Sequence, residues 1–498
     1  MITLSPFRFP FSPFRFPFSP FLKNFSDMYN IVITLYLIGV AIASLFSEKV
    51  RKMWRGERRT IQHLKEHVDP DAKYIWVHAA SLGEFEQGRP IIERIKATHP
   101  EYKILLTFFS PSGYEVRKNY EGADIICYLP LDTIRNSRRF LRAVRPVCAL
   151  FIKYEFWYNY LHILKHRQVP VYSVSSIFRP EQIFFRWYGH QYSRVLKCFT
   201  HFFVQNEVSK QLLEERLKIT AVTVTGDTRF DRVISISEQA TALPLIERFC
   251  SGSRVFVAGS SWQPDEEVFI PYFSAEYREQ RKEENEKEKT EKGKRSFVSM
   301  SSECQTQYGR SSYRLVREQR MLAKQKAEGR KREDIWKLVI APHVIGEDHL
   351  QQIERMLRQA HLVPLRYSTL TSSREEQERV QDADALIIDC FGLLSSVYRY
   401  ADVSYVGGGF GVGIHNLLEA AVWGTPVFFG PNNARFQEAQ ELKACGGGIE
   451  ITSAESFRTE MDSLLADTAA LQARGSAAGE YVRSHAGATE AIIKVIKL

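Results

Sequence analysis

Two α/β domains, each a parallel sheet with helices on both faces, are predicted by three features of this 498-residue sequence. Short apolar runs alternate with amphipathic stretches of helical period. The runs are apolar throughout instead of every second residue, as strands buried on both faces require. The pattern also begins twice. From Lys73 the segments YIWVHAAS, YKILLTFF, IICYLPL, VCALFI, VPVYSVSS, HFFVQN and AVTVTG each read as a strand. After a connection near Ser235–Ser251, RVFVAGSS, WKLVIAPH, ALIIDC, VSYVGGG and TPVFFGP follow. The expected domains are residues 60–240 and 250–498, long enough for a core each. In doubly wound sheets ligands bind beyond the carboxyl ends of the strands. Here that predicts a cleft faced by both domains.

Ahead of the domains, Tyr29–Phe46 is an eighteen-residue stretch without a charge. As a helix it rises roughly 27 Å, enough to cross a hydrocarbon core. EKVRKMWRGERR follows, a basic cluster with a tryptophan. By the positive-inside rule, residues 29–46 are expected to be a single-pass inner-membrane anchor with everything after it on the cytoplasmic face. A cleaved signal peptide is disfavoured because no small-residue cleavage site follows. Residues 1–27 repeat SPFRFPF and match no regular element, and Met28 stands just before the anchor. They are read as a disordered tail or a mis-assigned start.

The formal net charge is +9. Ser47–Arg59 carries +4 of it and Ala275–Asp334 the other +5, so the rest of the chain is neutral. A nucleic-acid partner is therefore disfavoured. Residues 275–334 have dense mixed charge without apolar periodicity and read as an insertion that builds no core. The seven cysteines are scattered without a CxxC pair, which suits a reducing compartment. No His/Cys/Asp cluster has metal-ligand spacing, and no GxSxG, GxGxxG or GxxxxGK[ST] motif occurs.

Three constellations carry chemistry. Glu84, in HAASLGE, lies between a strand and a helix start, at the carboxyl edge of the first sheet. On spacing alone the plainer reading, a glutamate complementing the helix dipole, is favoured. Gly83 and the cleft-facing position shift the balance toward a general base. Glu155, in YEFWYN, repeats the arrangement with a tryptophan beside it, against the alternative of a surface glutamate at a helix start. GGGFGVGIHNLLEAA at Gly407–Ala421 runs from a strand into a glycine loop, with a helix expected near His415. Free loop amides and the helix dipole there would hold a nucleotide phosphate, and Glu419 would accept from ribose hydroxyls. The other reading is a structural turn. Arg229, in GDTRFD, is a cation that could face a departing phosphate or simply pair with a carboxylate. His343, in APH, is either a ligand contact or a satisfied loop histidine.

Together HAASLGEFEQGRPII, TFFSPSGYE, YLPLD, YEFWYN, VTGDTRFD, GGGFG with GIHNLLEAA, and PVFFGPNNARFQEA resemble the 3-deoxy-D-manno-octulosonic acid (Kdo) transferases. The likeness runs in order from about Tyr74 to Gly448. It implies a GT-B fold of two Rossmann-like domains and inverting transfer of Kdo from CMP-Kdo to a lipid A precursor (lipid IVA) at the inner membrane. No cofactor and no protein-bound catalytic metal are implied. Glu84 matches the family's base, Glu155 its second acidic residue, which stabilises the transition state, and Arg229 a position commonly lysine. CMP contacts carry over to Pro342, His343, Phe391, Gly392, Leu393, Asn416, Leu417, Leu418 and Glu419. The chain departs from the family at Leu417 and Ala420, where HNPLEP has prolines, at Tyr158, where WPN has proline, and at Pro342-His343, which lacks the arginine of PRH. Two other readings remain: a GT-B transferase using a UDP- or GDP-sugar and another membrane lipid, or a non-catalytic membrane-associated binding protein of the same fold.

Overall fold

The structure, a computed structural model, describes residues 25–274, 276–277, 336–370, 380 and 382–498. Apart from residues 276 and 277 the expected insertion at 275–334 lies outside them, as does residues 1–24 of the expected tail. The chain divides into unit 1, Met1–Thr228 with Gly487–Leu498, and unit 2, Arg229–Ala486.

Unit 1 holds seven parallel strands: β1 Lys73–Ala79, β2 Tyr102–Phe108, β3 Ile125–Tyr128, β4 Cys148–Ile152, β5 Val171–Ser176, β6 His201–Val204 and β7 Val222–Val224. Their order is β3-β2-β1-β4-β5-β6-β7. In β1 every residue after Lys73 is buried, and β4 is buried throughout. Helices on both faces demand that, and it is why these runs lack polar alternation. The order reverses between β1 and β4, which pair from Ile75↔Cys148 to His78↔Phe151. Chain leaving those two strands departs toward opposite faces and leaves a crevice at their carboxyl ends. Glu84 follows β1 and Glu155 follows β4, so the topology brings both to this one point.

Unit 2 repeats the plan with β8 Arg254–Ser261, β9 Trp336–Pro342, β10 Pro364–Arg366, β11 Ala385–Ile387, β12 Val403–Val406, β13 Val427–Phe429 and β14 Gly448–Glu450. The order is β10-β11-β9-β8-β12-β13-β14, again all parallel. Its reversal falls between β8 and β12. The edge strands β10 and β14 were not among the expected strands; Pro364-Leu365-Arg366 and Gly448-Ile449-Glu450 break the apolar run that marks the others. Residues 487–498, expected in the second domain, belong to unit 1. There Ile492 and Ile496 join the core around Ile75 and Val77, and Arg94 pairs with Glu490 at 2.7 Å.

Two helices precede β1: α1, Phe25–Phe46, and α2, Glu48–His67. By length and composition Ser26–Phe46 suffices to cross a membrane. It does not stand clear of the body, however. Val40 of α1 packs with Met53 of α2 and Tyr128 of β3, with Tyr36 against them. α2 seats on the end of β3: Thr60 Oγ1 donates to the Tyr128 carbonyl at 2.9 Å, and buried Glu57 accepts from the Leu131 amide at 3.2 Å. Gly56 is required there, since a Cβ would lie 2.2 Å from the Tyr128 ring.

Asp132, fully buried, ties these parts together. Its carboxylate accepts from Tyr29 Oη (2.8 Å), Ser137 Oγ (2.9 Å) and the amides of Asn159 (2.8 Å) and Tyr160 (3.0 Å). The last two are orphan amides in the first turn of the helix Tyr158–His166, where a negative charge is stabilised. Asp132→Ala leaves the buried Asn159 and Tyr160 amides without this acceptor and releases Tyr29. It should destabilise the unfolding transition of unit 1 by roughly 2–4 kcal/mol, measured by urea denaturation.

Candidate active site

In unit 1 the site is built on the turns after β1 and β4. Ser81 precedes the helix α3, Leu82–Thr98, and Glu84 is its third residue. Glu84 Oε2 accepts from the Ser81 amide (2.9 Å) and from Ser81 Oγ (3.1 Å). The glutamate thus caps its own helix, which fixes its rotamer. The helix-start reading and the functional reading of Glu84 therefore both hold: the cap is what aims the carboxyl group.

Glu155 is not at a helix start. It lies in the turn before the helix Tyr158–His166. Trp157 Nε1 donates to Glu155 Oε2 at 2.7 Å, and His78 Nε2 lies 3.3 Å from the same oxygen. His78, the last residue but one of β1, has no exposed surface, and its Nδ1 lies 2.9 Å from Thr107 Oγ1 on β2. Two adjacent strands thus grip one imidazole, and the imidazole and an indole grip one carboxylate. Lys153, directly after β4, has φ +59°, a left-handed conformation uncommon outside glycine. Strain of this kind concentrates where a side chain must be aimed.

The electrostatics follow. Burial, then the neighbouring Glu155 charge, push the Glu84 carboxyl up to about 7, against the opposing pull of Lys153 and the Ser81 bonds. A carboxyl group that titrates near neutrality is ionised in a large fraction of molecules at pH 7. It also holds a proton far better than an ordinary glutamate does, which is the property of a general base.

Unit 2 has its own cluster at the β8/β12 reversal. Trp262 follows β8, His343 follows β9, and His415 follows β12. The His343 ring stacks on Trp262 at 4.7 Å and on His415 at 4.2 Å. Trp262 Nε1 donates to His415 Nε2 at 3.3 Å, so the neutral His415 ring carries its proton on Nδ1. Burial, then His343, lower the His415 pKa to about 4, and the ring is uncharged at neutral pH. The result is a neutral aromatic platform with His343 exposed. Nearby in the fold, Glu419 accepts from Ser395 Oγ (2.6 Å) and Asn416 Nδ2 (3.1 Å).

In the glycine loop five amides are taken up by the protein itself. Gly407 N donates to the Gly259 carbonyl, Gly408 N to Asp265 Oδ2, Gly411 N and Gly413 N to the Gly408 carbonyl, and His415 N to the Gly407 carbonyl. The helix expected near His415 begins at Leu418 and is four residues long. The glycines serve close packing: a Cβ on Gly407 would lie 2.4 Å from the Ser260 carbonyl oxygen, and Gly408 has φ +93°. Of the expected nucleotide contacts, Leu417 and Leu418 are buried core residues, and Pro342 is buried at the end of β9. Phe391, by contrast, is 80% exposed, beside Gly392 at φ +91° and the half-buried Leu393. Arg229 pairs with Glu438 at 2.9 Å inside unit 2.

Residues 53–232 match the family model of the 3-deoxy-D-manno-octulosonic-acid transferases (kdotransferases). The chain is 25% identical over 440 residues to the 3-deoxy-D-manno-octulosonic acid transferase of Bordetella pertussis, covering 86% of this chain and 88% of that protein. It is 25% identical over 396 residues to the enzyme of the same name from Aquifex aeolicus, covering 78% and 86%. The chain is a relative of the Kdo transferases. Among solved structures, a UDP-GlcNAc 2-epimerase from Neisseria meningitidis superposes with a TM-score of 0.51 at 13% identity, over 85% of this chain and 98% of that one. At that identity the likeness speaks for the fold alone, two Rossmann-like domains of the GT-B class.

The stretch that matches the family model contains both Glu84 and Glu155. It also contains His78, Lys153 and Trp157, which the sequence reading passed over as functional residues. A histidine inside an apolar run was the available signal for His78. The ring stack of Trp262 and His415 left none, because three separate strands bring it together.

Replacing Glu155 by Gln removes the charge that opposes ionisation of Glu84. The Glu84 carboxyl should then titrate lower by about one pH unit, toward the ordinary glutamate range, in a 13C-carboxyl NMR titration of the two proteins.

Proposed function

We propose that this chain moves Kdo from CMP-Kdo to a lipid A precursor, with inversion at the anomeric carbon. Glu84 acts as the general base. Its carboxylate takes the proton of the acceptor hydroxyl as that oxygen bonds the anomeric carbon, and the bond from this carbon to the CMP phosphate oxygen breaks. A single displacement needs one base and forms no covalent sugar–enzyme intermediate. Glu155 supplies negative charge near the positive character that grows on the sugar in the transition state. No metal is assigned a role.

The observation that carries this reading is the acidic pair at the β1/β4 reversal, with Glu84 raised to about 7 inside the stretch shared with the kdotransferases. In unit 2 the donor nucleotide is assigned to the face bearing His343, Phe391–Leu393 and Glu419. An uncharged ring suits stacking on a base, and Glu419 suits a ribose hydroxyl. Pro342, Asn416, Leu417 and Leu418 contribute by shaping that face, the two leucines from within the core. Arg229 remains assigned to the departing phosphate, a role in which the phosphate competes with Glu438 for the guanidinium. The apolar helix α1 and the basic run after it support a lipid acceptor and a reaction at the inner membrane.

The test is incubation with CMP-Kdo and a lipid A precursor, followed by mass analysis of the lipid. The expected product gains at least one Kdo; an unchanged lipid, with transfer from a UDP- or GDP-sugar instead, would replace this reading with the alternative donor. Glu84→Ala should lower the transfer rate by roughly 10²–10⁴-fold. The same variant should keep the wild-type thermal shift produced by CMP. In both proteins CMP should stabilise against unfolding more than UDP or GDP at equal concentration.

A further inference from the structure

Helix α1 is fastened to the body of unit 1 at its beginning and middle, and to α2 at its end. At its beginning Tyr29 Oη donates to Asp132, and Asn159 Nδ2 donates to Asn30 Oδ1 at 2.9 Å. In its middle Ile33 and Val40 are buried, and Tyr36 packs with Met53 and Tyr128. At its end Arg51 of α2 reaches back, Nε to the Ser44 carbonyl (2.9 Å) and Nη2 to the Leu45 carbonyl (2.8 Å). Residues 29, 33, 36, 40 and 44 form one helical face.

The opposite face is apolar and uncovered. Ile31, Leu35, Ile38, Ile42 and Leu45 are 49–68% exposed, and Phe46 is 84% exposed. A helix that crosses a bilayer has its ends on opposite sides, about 30 Å of hydrocarbon apart. Here the beginning of α1 is held by Asp132 and Asn159, and its end turns into α2, which seats on the same unit, so crossing would require the Tyr29–Asp132 latch to break.

We propose that α1 lies in the plane of one leaflet, its apolar face among the acyl chains and its other face seated on unit 1. This replaces the spanning anchor expected from length and composition. The occupant of the exposed face is a bilayer with anionic headgroups. Lys49, Lys52, Arg55, Arg58 and Arg59 of the adjoining α2 are exposed, and the Arg58 guanidinium lies 5.5 Å over the Trp54 ring. Basic groups and an amphipathic ring beside an apolar helical stripe are the composition of an interfacial segment. The placement has a consequence for the acidic pair. The Asp132 and Asn159 contacts join α1 to the helix directly after Glu155–Trp157, so the height of that turn above the headgroups is set. The inference stands whatever sugar is moved.

Topology decides it. Asp27, exposed near the start of α1, is replaced by Cys, and the exposed native Cys445 serves as the reference. The full chain is expressed, and sealed inverted and right-side-out membrane vesicles are treated with a membrane-impermeant maleimide and mapped by mass. An in-plane helix gives labelling of Asp27→Cys and Cys445 together in inverted vesicles, and of neither in right-side-out ones. Labelling of Asp27→Cys in right-side-out vesicles alone would show a spanning helix and overturn the proposal. In parallel, the purified chain should float with phosphatidylglycerol vesicles. Leu35→Glu/Ile38→Glu, provided its thermal midpoint matches wild type, should float at least tenfold less. Equal flotation of the double variant, or wild-type self-association without vesicle binding, would equally overturn it.

Discussion

Two carboxyl groups of like charge, set at the one point where a parallel sheet reverses its strand order, are the constraint around which unit 1 is arranged. Repulsion between Glu84 and Glu155 costs less when each has fixed donors. Glu84 has the Ser81 amide and hydroxyl; Glu155 has the Trp157 indole and the His78 imidazole. His78 is in turn held by Thr107 on β2. Removing the indole or the imidazole would leave the same residues present and the geometry loose. The left-handed Lys153 belongs to the same arrangement, a cation whose charge limits how far the pair can raise Glu84.

Unit 2 meets a different requirement with the same sheet plan. Its reversal point gathers neutral rings instead of carboxylates, and its glycines let backbone approach backbone. Gly407 and Gly408 sit where any side chain would collide with Ser260 or Gly413. Asp265 explains why the loop holds its form: buried, it accepts from Tyr405 Oη, the Trp262 amide and the Gly408 amide together. One carboxylate therefore links the strand β12, its glycine loop and the turn that carries Trp262.

Much of this was legible in the sequence, for a physical reason. Strands buried on both faces must be apolar end to end, and all twelve runs identified that way are strands. β10 and β14 escaped because Pro364-Leu365-Arg366 and Gly448-Ile449-Glu450 lie in no continuous apolar run, unlike the equally short β11 and β13. Glu84 and Glu155 were legible because a charged residue just past an apolar run marks a strand end. Their partners were not, since hydrogen bonds between His78, Thr107 and Trp157 depend on strand register. Glycine permits both free amides and close packing, and only the structure shows that the amides of Gly407, Gly408, Gly411, Gly413 and His415 bond within the protein. At Tyr29–Phe46 length and hydropathy are the same for a helix that crosses a bilayer and one that lies along it, and the proposed in-plane placement rests on the Tyr29–Asp132 bond.

The account turns on Glu84 being a base whose ionisation Glu155 opposes, and the pH dependence of kcat/KM for transfer tests that directly. A base works only when deprotonated. Raised to about 7, Glu84 is inactive in acid and gains its carboxylate as pH rises, so the rate should climb through a midpoint near 7 to a plateau. In Glu155→Gln the midpoint should move to lower pH, whatever happens to the plateau. A midpoint that stays in place in that variant, or the same rising limb persisting in Glu84→Gln, would contradict the account.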